Sequence, residues 1–355
     1  MTRASIVIVL YNGAAYLENL LGSLLEQLTP EDELILVDNA SQDGSNDLVR
    51  EKWPLVRLVQ NVENRGFAAA CNQGAGLAAG EFLVFLNQDT RPLAGWLEGL
   101  LAPFAGQPGV GLTTSKVLVM RQPELVHLCG MAVHFSGLSF GRGLMQPESL
   151  FTQPARVGSV SGASFAIRGG LWEQLGGFDE FLYMYSEEID LSWRACLAGY
   201  TSLFTPESRV LHDHWSDRPG FFSLYYSKRN RYILLYKTWR WRTLLLMLPG
   251  LALADLLDLA HSLRMGRNGL KASLLAWGWV VGHFGDILKA RRKVQSARQY
   301  PDWVLLESCV ENVLFREFRR GWVLQKVGAV VNVLFRANAR VVMRLCRRGD
   351  ISGSG

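Results

Sequence analysis

Asn87, Gln88 and Asp89 stand directly behind five apolar residues, Phe82-Leu83-Val84-Phe85-Leu86. Such a run reads as a buried strand, and ligands of open α/β sheets bind in the crevice beyond the strand carboxyl ends. Asp89 is placed there to hold a divalent cation, and a cation there can hold a diphosphate. A polar turn capping the next helix would use the same residue types. Three more polar clusters occupy strand-end positions: Tyr11-Asn12-Gly13, Asp38-Asn39-Ala40-Ser41 and Asn64-Arg65-Gly66-Phe67. In a parallel sheet all four come to one edge. At that edge Tyr11 can stack on a base, Asp38 can accept from a ring N–H, and Arg65 can meet phosphate.

Farther along, Gly176-Gly177-Phe178-Asp179-Glu180 precedes Tyr185-Ser186-Glu187-Glu188-Ile189-Asp190. Glu187, Glu188 and Asp190 open a predicted helix, whose positive end favours them. Adjacent carboxylates also repel, and one with a raised pKa suits a general base. Asp190 and Arg194, spaced i,i+4, read as a pair bracing the helix surface. His212 ends a short predicted strand, where a neutral imidazole can complete a metal site with Asp89. His214 reads as structural, and the two histidines lack zinc-type partner spacing.

The elements that must position these groups are legible as periods. Ile6–Leu10 reads as the first strand, and Leu17, Leu20, Leu21, Leu24, Leu25 and Leu28 form a helical stripe behind it. Strands are expected at Leu34–Val37, Leu55–Val59 and Phe82–Leu86, with a short helix after Asp43-Gly44 and another over Phe67–Ala79. This alternation predicts an α/β fold with a mostly parallel Rossmann-like sheet and helices on both faces. Gly74-Ala75-Gly76-Leu77-Ala78-Ala79-Gly80 lacks dinucleotide-fingerprint spacing and precedes a strand, so it reads as tight helix packing. From about 109 to 168 the pattern turns strand-like, as at Val157–Ile167. A helix over Glu187–Ala198 and two short strands, Thr201–Phe204 and Arg209–Leu211, follow.

Charge is unevenly spread over the 355 residues. Residues 1–219 hold 14 Lys/Arg against 24 Asp/Glu, a net of −10, whereas residues 220–355 hold 23 against 8, a net of +15. The basic part suits an anionic surface, either lipid head groups or nucleic acid. The acidic part would repel nucleic acid and no recognition motif appears, so a nucleic-acid partner is not expected. Cys71, Cys129, Cys196, Cys309 and Cys346 are scattered, which fits reduced thiols in the cytoplasm. Ile6–Leu10 is too short for the apolar core of a secretory signal. Leu244–Ala254, interrupted by Pro249 and followed by Asp255 and Asp258, and Ala272–Gly282 are each too short to span a bilayer, and read as interfacial helices. Arg336, Arg340, Arg344 and Arg348 recur every fourth residue, which predicts one basic stripe on an amphipathic helix. Lys289-Ala290-Arg291-Arg292-Lys293 adds a second basic cluster.

The order and spacing of these motifs resemble the family 2 glycosyltransferases of the GT-A fold, particularly the bacterial rhamnosyltransferase-like branch. The matching segments are Val9–Gly13, Val37–Ser45, Asn64–Asn72, Leu86–Thr90, Ser161-Gly162-Ala163, Gly176–Asp179, Tyr185–Arg194, His212 and Arg229-Asn230-Arg231. The resemblance implies a GT-A catalytic domain over 1–217, with a nucleotide-sugar half of about 1–108 and an acceptor half of about 109–217. A helical, basic, membrane-associating region follows over 218–355. It further implies inverting transfer of a sugar, rhamnose being one candidate, from a nucleotide diphosphate donor, dTDP- or UDP-linked. The acceptor would be a hydroxyl of a saccharide or lipid-linked saccharide in cell-surface polysaccharide synthesis. Tyr11, Asn12, Asp38, Asn39, Ser41, Arg65, Gly66 and Asn87 would bind the donor. Asp89 and His212 would hold Mn²⁺ or Mg²⁺, and Glu188, preceded by Glu187, would act as base. Such an enzyme would work on the inner face of the cell membrane as a peripheral protein. Asn87 and Glu188 both depart from the family's Asp, which leaves a catalytically inactive sugar-nucleotide-binding relative as an alternative. A nucleotidyltransferase would call for an early phosphate-cradling loop, and none is evident.

Overall fold

The computed structural model describes residues 2–213, 220–313 and 322–351. In chain order the first elements are β1 (Ala4–Leu10), α1 (Ala14–Leu25), β2 (Asp32–Asp38), α2 (Ser45–Lys52), β3 (Arg57–Gln60), α3 (Phe67–Ala75) and β4 (Phe82–Leu86). Then come β5 (Thr90–Pro92), α4 (Trp96–Leu101), β6 (Val110–Val119), β7 (Gln122–Leu128), β8 (Met131–Val133), β9 (Ser139–Gly141), β10 (Ala155–Arg156) and β11 (Ser164–Arg168). The remainder is α5 (Gly169–Leu175), α6 (Glu187–Leu197), β12 (Thr201–His212), α7 (Phe221–Thr238), α8 (Trp241–Arg264), α9 (Gly266–Gly282), α10 (Phe284–Ala297), α11 (Asp302–Ser308) and α12 (Trp322–Ile351).

Two compact units form. One comprises Met1–Met131, Gly141–Ala195 and Tyr200–Ser216; the other comprises Ala132–Phe140, Cys196–Gly199 and Asp217–Gly355. The second unit therefore takes the β8–β9 hairpin and the end of α6, segments that the sequence pattern alone assigns to the first.

The first unit is built on a mixed sheet ordered β10-β12-β6-β11-β4-β1-β2-β3. Strands β3, β2, β1 and β4 are parallel; β11 runs antiparallel to β4 and β6, and β12 parallel to β6. All seven residues of β1 are buried, as the apolar run requires when helices cover both faces. Alternate side chains serve two cores. Ile6, Ile8 and Leu10 pack with Leu17, Leu20, Leu21 and Leu24 of α1 and with Trp96 and Leu100 of α4. Val7 and Val9 pack with Ala70 and Cys71 of α3, Trp172 of α5 and Leu191 of α6. Gly74 lets α3 approach closely, since a Cβ there would lie 2.4 Å from Val7 Cγ1. Helix α3 ends four residues before its expected end, at a turn through Gly76.

The two short strands expected near residues 201 and 209 are one strand. Pro206-Glu207-Ser208 breaks the apolar pattern, but the chain accommodates them as a bulge: Thr205 pairs with Ser115 and Arg209 with its neighbour Lys116. Ser208 Oγ lies 2.7 Å from Ser115 Oγ, so the bulge is tied to β6. Continuity matters because it carries β12 on to His212, which pairs with Thr90 beside Asp89.

In the second unit much of the positive charge is internal. Lys228, Arg229, Arg231 and Arg291 are buried. Arg231 bonds Asp255 at 2.6 Å and the Ser136 carbonyl at 2.8 Å; Lys228 bonds Asp258 at 2.5 Å. Arg291 donates to the carbonyls of Tyr236 and Trp239, both at 2.6 Å. The net charge of residues 220–355 is thus partly a framework that stitches helices together. Pro249 does not interrupt α8, which runs as one helix of 24 residues. Arg336 leaves the expected stripe to donate to Asn312 Oδ1 at 2.8 Å, while Arg340 and Arg344 stay exposed. The cause is geometric: a four-residue step turns about 40° past one helical turn, so a long i,i+4 series winds around the helix.

Candidate active site

The four strand-end clusters are joined by a chain of hydrogen bonds. Gln88 reaches the first loop, where its Oε1 accepts from Tyr11 N at 2.8 Å and its Nε2 donates to Tyr11 O at 3.1 Å. Asn12 N donates to Ser41 Oγ at 2.9 Å, and Asn12 Oδ1 accepts from Gln42 N at 2.8 Å. Asn39 binds the third cluster: its Nδ2 donates to Asn64 Oδ1 at 2.9 Å and its Oδ1 accepts from Arg65 N at 3.0 Å. Tyr11, Asn12 and Arg65 remain exposed at this edge. Asp38 differs from expectation. Its carboxylate is fully buried and accepts from Ser41 N at 3.2 Å and Asn46 Nδ2 at 2.9 Å, so it braces the loop from within.

Strain gathers here. Of the six non-glycine residues with positive φ among the described residues, five are Asn12, Ala40, Tyr183, Tyr185 and Ser186. Such conformations cost free energy and persist only where surroundings hold them. Tyr183 is held because its carbonyl accepts from Ala68 N at 3.2 Å and its ring lies over Gly66. Gly66 has φ +84°, and a Cβ there would sit 2.5 Å from the ring. Gly66→Ala should therefore destabilise the protein by about 1–3 kcal/mol, measured as a lowered urea midpoint. An unchanged midpoint would mean that the ring moves aside freely.

The strained segment delivers Glu187 and Glu188 to the start of α6. Glu187 is 6% exposed. Burial, reinforced by the neighbouring charge of Glu188, holds its carboxyl well above the ordinary range. Its Oε2 has no hydrogen-bond partner among the described residues, as suits a carboxyl kept neutral. Glu188 is half-buried, and burial pushes its carboxyl up to about 7. Burial thus raises both carboxyls, and the two adjacent acids titrate as an interacting pair. Gly162 backs directly onto the Glu188 carboxyl, a Cβ there lying 4.0 Å from its Cδ. Ser159 Oγ fixes the Glu188 carbonyl at 3.0 Å. The Asp190–Arg194 pair is buried, not superficial: Arg194 bonds Asp190 at 2.7 Å and donates to the carbonyls of Leu175 and Gly177 at 2.7 and 2.8 Å. It ties the Gly176-Gly177 turn to the helix that carries the acids.

Where a metal is expected from the sequence, His212 Nε2 lies 3.1 Å from Asp89 Oδ1, joining residues 123 apart in sequence. An oxygen and an imidazole nitrogen this close can share one divalent cation, and the set suits Mn²⁺. Among the described residues no group of three or more His, Cys, Asp or Glu side chains is arranged to hold a metal. Asn87 is half-buried, and its backbone N donates to the Ala163 carbonyl at 3.0 Å. His214 lies outside the described residues. Sequence reasoning missed His127 on β7, whose Nδ1 stands 3.0 Å from His212 Nδ1. No spacing announces a partner 85 residues away. It also missed the clamp made by Gln88, although the residue stands inside the motif it singled out.

A sheet of this order, with a carboxylate at the end of β4 and a paired-acid helix, defines a GT-A type domain. Solved structures agree in fold. GalNAc-T7 with UDP, GalNAc and Mn²⁺ gives a TM-score of 0.56 at 24% identity, covering 67% of this chain and 48% of that one. A mannosyltransferase from Pyrobaculum calidifontis in complex with GDP-Man and Mn²⁺ gives 0.51 at 19% identity, covering 96% and 86%. The chain belongs to glycosyltransferase family 2: residues 5–119 match glycosyl transferase family 2, and residues 82–305 match glycosyl transferase family group 2. Two Mycobacterium tuberculosis proteins are similar. The pre-mycofactocin glycosyltransferase is 29% identical over 226 residues, which are 61% of this chain and 45% of that protein. The N-acetylglucosaminyl-diphospho-decaprenol L-rhamnosyltransferase is 27% identical over 300 residues, 74% of this chain and 95% of that one.

Proposed function

We propose that the protein is an inverting glycosyltransferase that moves a sugar from a nucleotide diphosphate donor to a hydroxyl of a saccharide or lipid-linked saccharide. The observation that carries this reading is geometric: Glu187 and Glu188 open α6 with Gly162 backing onto the Glu188 carboxyl, on a domain that also brings His212 Nε2 within 3.1 Å of Asp89 Oδ1. The Glu188 carboxylate takes the proton of the acceptor hydroxyl as the new carbon–oxygen bond forms and the bond to the diphosphate breaks. Attack from the face opposite the leaving group inverts the anomeric carbon. Asp89 and His212 would hold a divalent cation, which offsets the charge that develops on the diphosphate. Tyr11, Asn12 and Arg65 face outward to meet the nucleotide, on loops braced by Asp38, Asn39, Ser41 and Gln88.

Rhamnose as the sugar draws support from the mycobacterial rhamnosyltransferase, which aligns over nearly its whole length; the donor is taken to be dTDP- or UDP-linked. That relative's named substrate, a decaprenol diphosphate, supports a lipid-linked acceptor. The five free cysteines fit a cytoplasmic site of action. Thermal unfolding in the presence of dTDP-, UDP- and GDP-sugars with Mn²⁺ or Mg²⁺ tests the donor. A matching donor at one hundred times its dissociation constant should add about 2.7 kcal/mol of stability. Stabilisation by no nucleotide sugar under either cation would overturn the reading, and stabilisation without transfer would favour an inactive sugar-nucleotide binder.

A further inference from the structure

Helix α8 pairs its acidic residues with α7 and exposes an apolar face. Asp255 and Asp258 are paired with α7, bonding Arg231, Tyr232 and Lys228. Between Arg242 and Arg264 every exposed position is apolar, including Leu245, Leu248, Ala252, Leu256, Ala260 and Leu263. That face is about 30 Å long at 1.5 Å per residue. Leu245 is 66% exposed and Leu256 64%. Helices α9 and α12 both pack on α8, and each adds apolar residues of its own. Leu274, Leu275 and Val281 are exposed on α9; Val327, Val330, Val333 and Leu334 are exposed on α12. Exposed cations border these stretches: Arg242, Arg264, Arg267, Lys271, Arg340 and Arg344. A water-facing helix normally carries its charges outward, and exposed apolar surface of this extent marks a site of contact.

We infer that the outer faces of α8, α9 and α12 bind an anionic lipid bilayer, with α8 lying in the membrane plane and its leucines in the acyl boundary. Bordering arginines and lysines match anionic head groups. An in-plane seat is favoured over a crossing because α8 is bonded to the Lys228–Arg231 layer of α7, which a crossing helix would carry to bilayer depth. The basic stripe read from sequence adds a salt-sensitive term, and this apolar surface adds the term that salt does not remove.

Full-length protein is tested by sedimentation with phosphatidylcholine–phosphatidylglycerol vesicles at low and high salt. The expected result is binding that largely survives high salt. The double variant Leu248→Glu/Leu256→Glu should partition at least about tenfold more weakly, with unchanged thermal unfolding as the control for folding. Arg340→Glu/Arg344→Glu should weaken binding at low salt only. Spin labels at L245C, A252C and L263C should all report shallow depths. The inference is overturned if wild-type protein does not bind vesicles, or if high salt releases it completely. It is also overturned if the leucine variants bind normally, if those variants instead split a stable dimer that ignores vesicles, or if A252C alone lies at the bilayer centre.

Discussion

Glu188→Gln is expected to lower the transfer rate by roughly 10²–10⁴-fold, the contribution of a general base. The substitution keeps the shape of the side chain and its place against Gly162, so nucleotide-sugar affinity should be unchanged. Glu187→Gln should cost far less, because Glu187 is buried while Glu188 is the acid that reaches solvent. Should Glu187→Gln be inactive while Glu188→Gln turns over normally, the roles of the two acids are reversed. The wild-type rate should also rise with pH through about 7 as Glu188 loses its proton. Stability should run the other way. A carboxyl whose folded pKa is raised contributes fully below its unfolded value, and that contribution is lost as pH climbs through the folded value. Both acids carry this sign, so urea titrations should find stability falling as pH rises above the ordinary carboxyl range, the Glu188 share through about 7 and the Glu187 share continuing upward.

Asp89→Ala is expected to abolish Mn²⁺-dependent donor binding while leaving the fold intact. Asp89 leaves a buried strand into the ligand edge, and its oxygen and His212 Nε2 are the close pair. His212→Ala should weaken Mn²⁺ less, since the carboxylate supplies the charge. His127→Phe should weaken it by about 10–100-fold, the usual cost of losing a group that orients a metal-binding histidine. His127→Asn, which keeps a polar partner near His212 Nδ1, should restore part of the loss. Titration of Mn²⁺ by electron paramagnetic resonance, without substrate, reads all four. Full Mn²⁺ affinity in Asp89→Ala would remove Asp89 from the metal site, and a neutral His127→Phe would leave its contact with His212 a packing contact alone.

Much of the first unit is written locally in the chain. Apolar runs buried on both faces mark β1, β2 and β4, and Leu17, Leu20, Leu21 and Leu24 mark the inner side of α1, because burial of a regular element repeats at that element's own period. Polar clusters that close those runs gather at one edge of the sheet, because parallel strands end together. Tertiary structure decided the rest. It merged two expected strands through the bulge at Pro206-Glu207-Ser208, and so brought His212 beside Asp89. It set His127 against His212 and Gln88 against Tyr11, turned Asp38 inward, buried Asp190 with Arg194, and drew Arg336 off its stripe. It also ran α8 through Pro249 and faced its aspartates to the cations of α7. A period in sequence reports how much of an element is buried; it carries no record of which distant residue meets it, since such pairs form only when separate elements pack. Charge signs and residue types are fixed along the chain, but whether a charge meets water, a partner or a ligand depends on that packing.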